Sequence, residues 1–593
     1  MLAGRVGGEV RAGGDAWVVR QDGLEIALDG ELSELDALAA ALGLAQGADA
    51  ASVLCAGWRR WSAGLPARLR GSYALLVWEP ATARGVLARD RVGAVPLLAA
   101  RTGETVCFAT EQRALLELCT SAAGVDEVAA VHWLVGGAIP GQRTLHRGIE
   151  RVAAGCHWRF DRGRVEVVRH GRVGPAAATP DDDRARLRAA LEGAVGRAVG
   201  AAGGPGGAGV GVLLSGGFDS AAVAALAARA VGAAGRMRSY SLTFPLDPAV
   251  DESQEIVALT RELGLAAVGL AAEGGAPLAD AAEHARRWRL PQISPNGFLW
   301  SPLLARARED GVTHLLDGEG GDEVLGAGPY LLGDLLRRGS LATAWRLTGA
   351  LGAGRASAAV RRRMLVDFGL RAALPASLHA TLRSLRASRR GAPPWLAPAA
   401  ATLWRESEER WAWKGQEGTR WRAALVHSAV DVRDALGVAE QGRRFAAEHG
   451  IALRRPLLDE RLLETVLALD PALAFDPRRD RALARDALAG VLSERALGRV
   501  GKAYFDPFAA RVLLGEERAT LVELLAPGAE LGAWVDLEQV RAMLGSQLGR
   551  GVGVVWRLAA MELWLRCEAG RELPSGSARG GGVRGRLWSG APA

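Results

Sequence analysis

Two carboxylates in glycine-rich loops are the residues of this chain best placed to do chemistry. Asp219 closes the run Val210-Gly211-Val212-Leu213-Leu214-Ser215-Gly216-Gly217-Phe218-Asp219-Ser220. There an apolar strand meets a helix through a loop suited to phosphate. Gly216 and Gly217 let the backbone approach an anion, and Ser215 and Ser220 add hydroxyls and amides. The helix from Ala221 turns its positive end toward the loop. Asp219 repels phosphate unless it holds a cation between them, so the loop predicts Mg-ATP. A plain glycine-rich turn with a capping aspartate is the simpler alternative. Against it stands Asp322, in Asp317-Gly318-Glu319-Gly320-Gly321-Asp322-Glu323, which follows the apolar run Thr313-His314-Leu315-Leu316. In a parallel sheet such strand ends converge on one crevice, where Asp219 and Asp322 can share a magnesium ion beside a triphosphate.

Positioning these loops requires strands that alternate with helices, and the chain reads that way from Val210 onward. Strand 239–244, helix 253–263 ending at Gly264, and helix 299–309 ending at Gly311 give a doubly wound parallel sheet. Beyond Tyr330 the pattern becomes helical. The front half differs. Alternating stretches at 16–20, 24–28 and 73–78, with a helix near 35–42, predict a layered α/β domain. Pro180-Asp181-Asp182-Asp183 starts an amphipathic helix over 184–199, and the glycine-rich stretch 203–209 that follows reads as the interdomain junction. The expected organisation is a first domain at 1–175, a second at 180–572, and a disordered tail, rich in Gly, Ser and Arg, at 573–593.

The motif Ser215-Gly216-Gly217-Phe218-Asp219-Ser220, the loop Gly318-Glu319-Gly320-Gly321-Asp322-Glu323 and the run Arg455-Pro456-Leu457-Leu458-Asp459-Glu460 resemble the synthetase domain of the class B asparagine synthetases. That family includes beta-lactam synthetase and the macrolactam synthetases (cyclases) of lasso peptides. In front, Gly71-Ser72-Tyr73, Ala88-Arg89-Asp90-Arg91-Val92-Gly93 and Cys107-Phe108-Ala109-Thr110-Glu111 are similar to its glutaminase-like, Ntn-type amidotransferase domain. The resemblance implies an ATP-pyrophosphatase (PP-loop) fold with a helical C-terminal extension. It also implies ATP and Mg2+ as cofactors, and Ser215, Gly216, Gly217 and Ser220 as the pyrophosphate cradle. Asp219 and Asp322 become metal ligands. Leu214, Leu242, Asp317 and Gly318 become nucleotide contacts, largely through backbone, although core packing explains Leu214 and Leu242 equally well. Glu319 stands where the family has a glutamate, replaced by tyrosine in beta-lactam synthetase. It is expected to deprotonate the attacking amine, with a nearby carboxylate raising its proton affinity. Glu440 lies near the place of a partner acid. Lys502, before an aromatic pair, is expected to neutralise charge on the α-phosphate and leaving pyrophosphate.

The chain begins Met1-Leu2-Ala3-Gly4, and its cysteines are Cys55, Cys107, Cys119, Cys156 and Cys567. A glutaminase of the family attacks with a cysteine directly after the initiator methionine. The expectation is therefore a front domain lacking its nucleophile, as in the cyclising relatives. In those, an amine of the same molecule captures the acyl-adenylate, and holding both ends of one substrate raises their effective concentration. The reading is a lasso-peptide cyclase that adenylates an Asp or Glu side chain of a precursor core and joins it to the core's N-terminal amine. A leader peptidase and a leader-binding recognition protein are its expected partners. The alternatives are an ammonia-dependent asparagine synthetase or another amide-forming ligase such as a beta-lactam synthetase and, in a different class, a non-catalytic scaffold.

Over 593 residues, 49% are hydrophobic and 23% charged, which is a globular rather than a disordered composition. No apolar stretch is long enough to span a bilayer, and the cysteines show no metal spacing. A cytoplasmic protein without a membrane partner is expected. The net charge of +7 is mostly arginine, much of it in a Trp-bearing stretch with Arg361, Arg362, Arg363 and Trp395. A solvated face or a groove for an acidic peptide accounts for it better than nucleic acid, since no RNA-binding module is present.

Overall fold

The computed structural model describes the whole chain except residues 104, 120–123, 178–181, 201–208, 233–236, 327, 352–355, 376, 379–390, 407–417, 477–478, 500, 502, 547–550, 573–582 and 591–593. It forms two compact units. One comprises Met1–Val173, Arg286–Ile293 and Val430–Ala447, the other Gly174–Ala285, Ser294–Ala429 and Glu448–Ala593.

Period-two patterning builds the first unit. In the strand Arg70–Glu79, Ala74 and Leu76 face one way, into a core with Leu2, Phe108 and Trp158, whereas Tyr73, Leu75 and Val77 face Leu54 and Trp58 of the helix Ala50–Trp61. Two antiparallel sheets result. Six strands run in the order Arg164–Arg169, Cys156–Asp161, Arg84–Arg89, Arg70–Glu79, Leu24–Ser33, Trp17–Gln21, and a second sheet of five contains Leu2–Arg5, Thr105–Ala109 and Leu98–Thr102. The helix Gln112–Leu118 covers the far face of the second sheet through Leu115 and Leu116. The expected layered α/β domain is therefore a helix, sheet, sheet, helix stack.

Arg89 and Asp90 explain why this unit reaches far along the chain. Fully buried, Arg89 donates to the carbonyls of Gly93, Val95 and Val152 and to the Asp434 carboxylate at 2.8 Å. Asp90 accepts from the amides of Tyr73, Val92, Ala94 and Val95. Arg151 likewise pairs with Glu440 (3.2 Å) and Arg443 with Asp29 (2.8 Å). Chain continuity alone placed 286–293 and 430–447 in the second domain. Buried ion pairs put 430–447 in the first, and they make Glu440 a structural partner of Arg151 and Arg444.

The second unit holds a six-stranded sheet in the order Ala452–Arg454, His314–Leu316, Val210–Leu213, Arg238–Thr243, Ala266–Gly275, Val583–Ser589. The first five strands are parallel. The sixth corrects the expectation of a disordered tail at 573–593. Val583–Ser589 pairs antiparallel with Ala266–Gly275, and the Trp588 ring fills the space above Gly269, where a Cβ would collide with it. An aromatic residue opposite glycine holds a strand that composition alone marks as unstructured. Residues 573–582 and 591–593 lie outside the described residues. The helices expected at 253–263 and 299–309 are Ser253–Leu263 and Gly297–Glu309. As expected, the region after Tyr330 is mostly helical and ends in the buried helix Val552–Glu568. Among the described residues no helix is long and apolar enough to cross a membrane.

His157 and His170 lie with their ring centres 5.5 Å apart in the first unit. Burial, reinforced by neighbouring cations, pushes them down to about 4 and about 3. Both are neutral when folded, so the unfolded chain takes up protons first as the pH falls below about 6.5. Stability of this unit should therefore drop between pH 6.5 and 5, on the order of 1 kcal/mol for each histidine. Urea midpoints across that range test this, and His170→Gln should flatten the dependence.

Candidate functional site

The direction of the sheet reverses at Val210–Leu213. One parallel neighbour, Arg238–Thr243, comes next in sequence, and the other, His314–Leu316, comes after a long excursion. Loops leaving two such strands diverge and open a crevice at their carboxyl ends. The segments 214–217 and 317–320 are those loops.

Hydroxyls lace the first loop. Ser215 and Ser220 Oγ lie 2.9 Å apart, the Ser215 amide donates to Ser220 Oγ (3.2 Å), and the Gly217 amide donates to Ser215 Oγ (3.2 Å). The helix Phe218–Val231 begins immediately after, so its amino end faces the loop. Glycine decides how closely the second loop approaches. A Cβ on Gly318 would lie 2.6 Å from the Ser220 amide nitrogen, and one on Gly321 would collide with the Asp219 carboxylate. The helical turn Gly321–Val324 then carries Asp322.

These contacts bring the predicted carboxylates together. Arg481 Nη2 donates to Asp219 Oδ2 at 2.8 Å and also contacts Asp322, while Arg481 Nε lies 2.7 Å from Asp219 Oδ1. Both carboxylates touch one nitrogen, so a single small cation can span them. Burial opposes the charge of Arg481, but Asp219, Asp322 and Asp480 more than compensate and raise its proton affinity above the ordinary value. The donor set suits magnesium, which is commonly held by one or two carboxylates with phosphates and water completing its shell. Among the described residues no group of three or more metal-ligating side chains competes with this pair.

Glu319 occupies the same loop, and its amide donates to Asp317 Oδ1 (3.1 Å). Its carboxylate contacts the buried guanidinium of Arg455, which also lies 3.7 Å from Asp317. The neighbour found at Glu319 is thus a cation in direct contact, where a second carboxylate was expected to dominate. Gly318 separates Asp317 from Glu319 at the point of closest approach to the first loop. Leu214 and Leu242 are buried side chains at the ends of their strands, and the Leu214 amide donates to Tyr240 (2.9 Å). Any contact they make with a ligand must come from backbone. Lys502 lies outside the described residues, whereas Phe505 packs on Phe244 at 5.2 Å, beside the end of Arg238–Thr243.

Four charged groups carry the site without having been singled out for it by sequence. Glu252 accepts from the Gly216 amide (3.1 Å) and pairs with Arg499, while Arg481 and Arg455 hold the acidic loops. Arg455 and Arg499 sit in recognisable motifs, but Arg481 has no local signal beyond its charge. Beside Gly216 and Gly217 lies a cavity of about 240 Å³ whose charged lining is Glu255, Glu262, Arg495 and Arg499. In the Arg/Trp-rich region, Arg361 lies over the Trp345 ring (4.1 Å) and donates to Thr348 (3.0 Å), and Arg363 pairs with Asp367 (3.5 Å). The surface reading fits these intramolecular contacts.

Residues 186–566 match the family model described as asparagine synthase, and residues 11–170 match the glutamine amidotransferase domain model. The chain is 32% identical over 288 residues to proteins named putative asparagine synthetase [glutamine-hydrolyzing] from Mycobacterium bovis and Mycobacterium tuberculosis. That match covers 46% of this chain and 42% of those relatives, less than half the length of either. Among solved structures, it is similar to the glutamine phosphoribosylpyrophosphate amidotransferase from B. subtilis complexed with ADP and GMP. There the identity is 15%, the coverage 51% of this chain and 63% of that one, and the TM-score 0.19.

Gly318→Ala and Gly321→Ala test the loop contact. Each should force the loops apart, lower stability by about 1–3 kcal/mol, and reduce binding of an ATP analogue in calorimetry. Gly196→Ala in the helix Asp183–Gly200 is the control, since a Cβ there meets nothing within 4 Å.

Proposed function

This chain belongs to the asparagine synthase family, and we propose that it is an ATP-dependent, amide-forming ligase that closes a macrolactam in a peptide. The observation that carries the ligase reading is the pair Asp219 and Asp322, brought onto one cation at a sheet switch point beside the Ser215–Ser220 hydroxyl ring. Asp219 and Asp322 would hold magnesium, which neutralises a triphosphate. The amides and hydroxyls of Ser215, Gly216, Gly217 and Ser220 grip the pyrophosphate half. The substrate carboxylate attacks the α-phosphorus, pyrophosphate departs, and an amine displaces AMP from the acyl-adenylate. Glu319 is the acceptor for the amine's proton. An ammonium has no lone pair with which to attack, and the Glu319 carboxylate, held in place by Arg455, supplies the base. Lys502 is the proposed cation for the α-phosphate, and the backbone at Leu214, Leu242, Asp317 and Gly318 forms the nucleotide floor.

The cysteines of this chain favour a substrate-borne amine. Cys55, Cys107, Cys119 and Cys156 are buried. Burial and the neighbouring Cys107 push the Cys119 thiol up to about 12, far from a reactive thiolate. Cys567 lies in the helix Val552–Glu568. A carboxylate and an amine carried by one peptide need no glutaminase. On this reading the substrate is a lasso-peptide precursor core, its Asp or Glu side chain joins its own N-terminal amine, and a leader peptidase and a leader-binding protein act in trans.

The glutamine amidotransferase match at 11–170 and the mycobacterial relatives favour a second reading, asparagine formation from aspartate. Incubation with Mg-ATP and a leader-free core peptide distinguishes them. The cyclase reading expects loss of one water from the peptide with pyrophosphate release, both abolished by Asp219→Ala. Glu319→Gln should slow amide formation by about 10²-fold or more while leaving ATP-analogue binding intact. Pyrophosphate release with aspartate and ammonia, and never with peptide, selects asparagine synthesis.

A further inference from the structure

We propose that Arg481 and Glu252 are internal stand-ins for the two charged parts of a magnesium nucleotide, so that cation and nucleotide enter the site together and neither enters well alone. The inference rests on the nucleotide reading of the 215–220 loop and goes beyond it to the order and coupling of binding.

Arg481 lies where a metal between Asp219 and Asp322 would lie. Its guanidinium touches both carboxylates, and only a tenth of the side chain is exposed. It is also held by Asp480 and has a left-handed backbone (φ 52°, ψ 38°) at the start of the helix Ala482–Ala487. A non-glycine residue adopts that conformation when its surroundings hold it there. Glu252 does the same for the anion. Its carboxylate takes the Gly216 amide, a donor of the phosphate-type loop, and is itself paired with Arg499.

The guanidinium already neutralises part of the Asp219 and Asp322 charge, so a lone divalent cation gains little there. A nucleotide arriving without metal meets the Glu252 carboxylate at the amide it needs. Mg-nucleotide supplies both replacements at once: its metal displaces the Arg481 guanidinium, and its phosphate displaces Glu252. The two freed cations, Arg481 and Arg499, then stand next to phosphate oxygens. Metal binding thus turns Arg481 from a competitor for the carboxylates into a partner for the phosphate, so each ligand strengthens the other and the two bind with positive cooperativity.

Electron paramagnetic resonance of free Mn2+, titrated with the full chain, reads this directly and needs no turnover. For the wild type, Mn2+ affinity should be weak alone and should tighten by a factor on the order of ten or more with α,β-methylene-ATP, the size of an ordinary coupling. In Arg481→Gln, Mn2+ alone should bind on the order of tenfold more tightly than in the wild type. Arg481→Lys keeps the cation and should stay near the wild type. Adding Asp219→Asn to Arg481→Gln should erase the gain. The proposal is overturned if wild-type Mn2+ affinity is the same with and without the analogue. It is also overturned if folded Arg481→Gln binds Mn2+ no better than the wild type, or if the gain survives Asp219→Asn. Should Arg481→Gln fail to fold, the wild-type comparison decides. A chain that passes the Mn2+ test but joins no peptide ends loses the cyclase reading and keeps this one. A chain that binds neither Mn2+ nor the analogue loses both this inference and its nucleotide premise.

Discussion

Everything at this site depends on two loops passing closer than an added side chain would allow. Gly318 lies against the Ser220 amide and Gly321 against the Asp219 carboxylate, with no room for a Cβ at either place. That contact brings Asp219 and Asp322 within reach of one cation. Without it each loop is an ordinary turn, one rich in hydroxyls and the other rich in acid. Glycine here contributes its lack of volume more than its conformational freedom.

The sheet supplies the second constraint. Val210–Leu213 lies between its sequence successor and the strand His314–Leu316, so both loops leave adjacent strand ends on the same edge. The apolar strands and covering helices order that edge, and the charges that finish the site come from later in the chain. Arg455 follows the strand Ala452–Arg454, which extends the sheet beyond His314–Leu316. Arg481 starts a short helix, and Arg499 follows another, Glu494–Gly498. The helical extension is therefore more than a cover, because it supplies the cations opposite an otherwise acidic crevice.

The first unit follows a different logic. Its two sheets close on an apolar core, while the buried Arg89 and Asp90 satisfy a ring of backbone groups. A buried arginine is tolerated because every direction it points in holds an acceptor. One of them, Asp434, is supplied by a segment 345 residues away in the chain. An ion pair of that range is invisible to any reading that moves along the sequence.

Residue type and spacing by themselves determined the parallel sheet and the two loops that carry Asp219 and Asp322, because strand periodicity and glycine placement are local properties. They also determined the layered front domain, whose strands alternate with period two. Tertiary structure alone decided that Arg481 bridges Asp219 and Asp322, that Arg455 faces Glu319, and that Glu252 takes the Gly216 amide. It likewise decided that 430–447 belongs with the first unit and that Val583–Ser589 is an edge strand. The reason is the same in each case. A charge declares its sign in the sequence, but its partner is chosen by which distant segment the fold brings within about 3 Å.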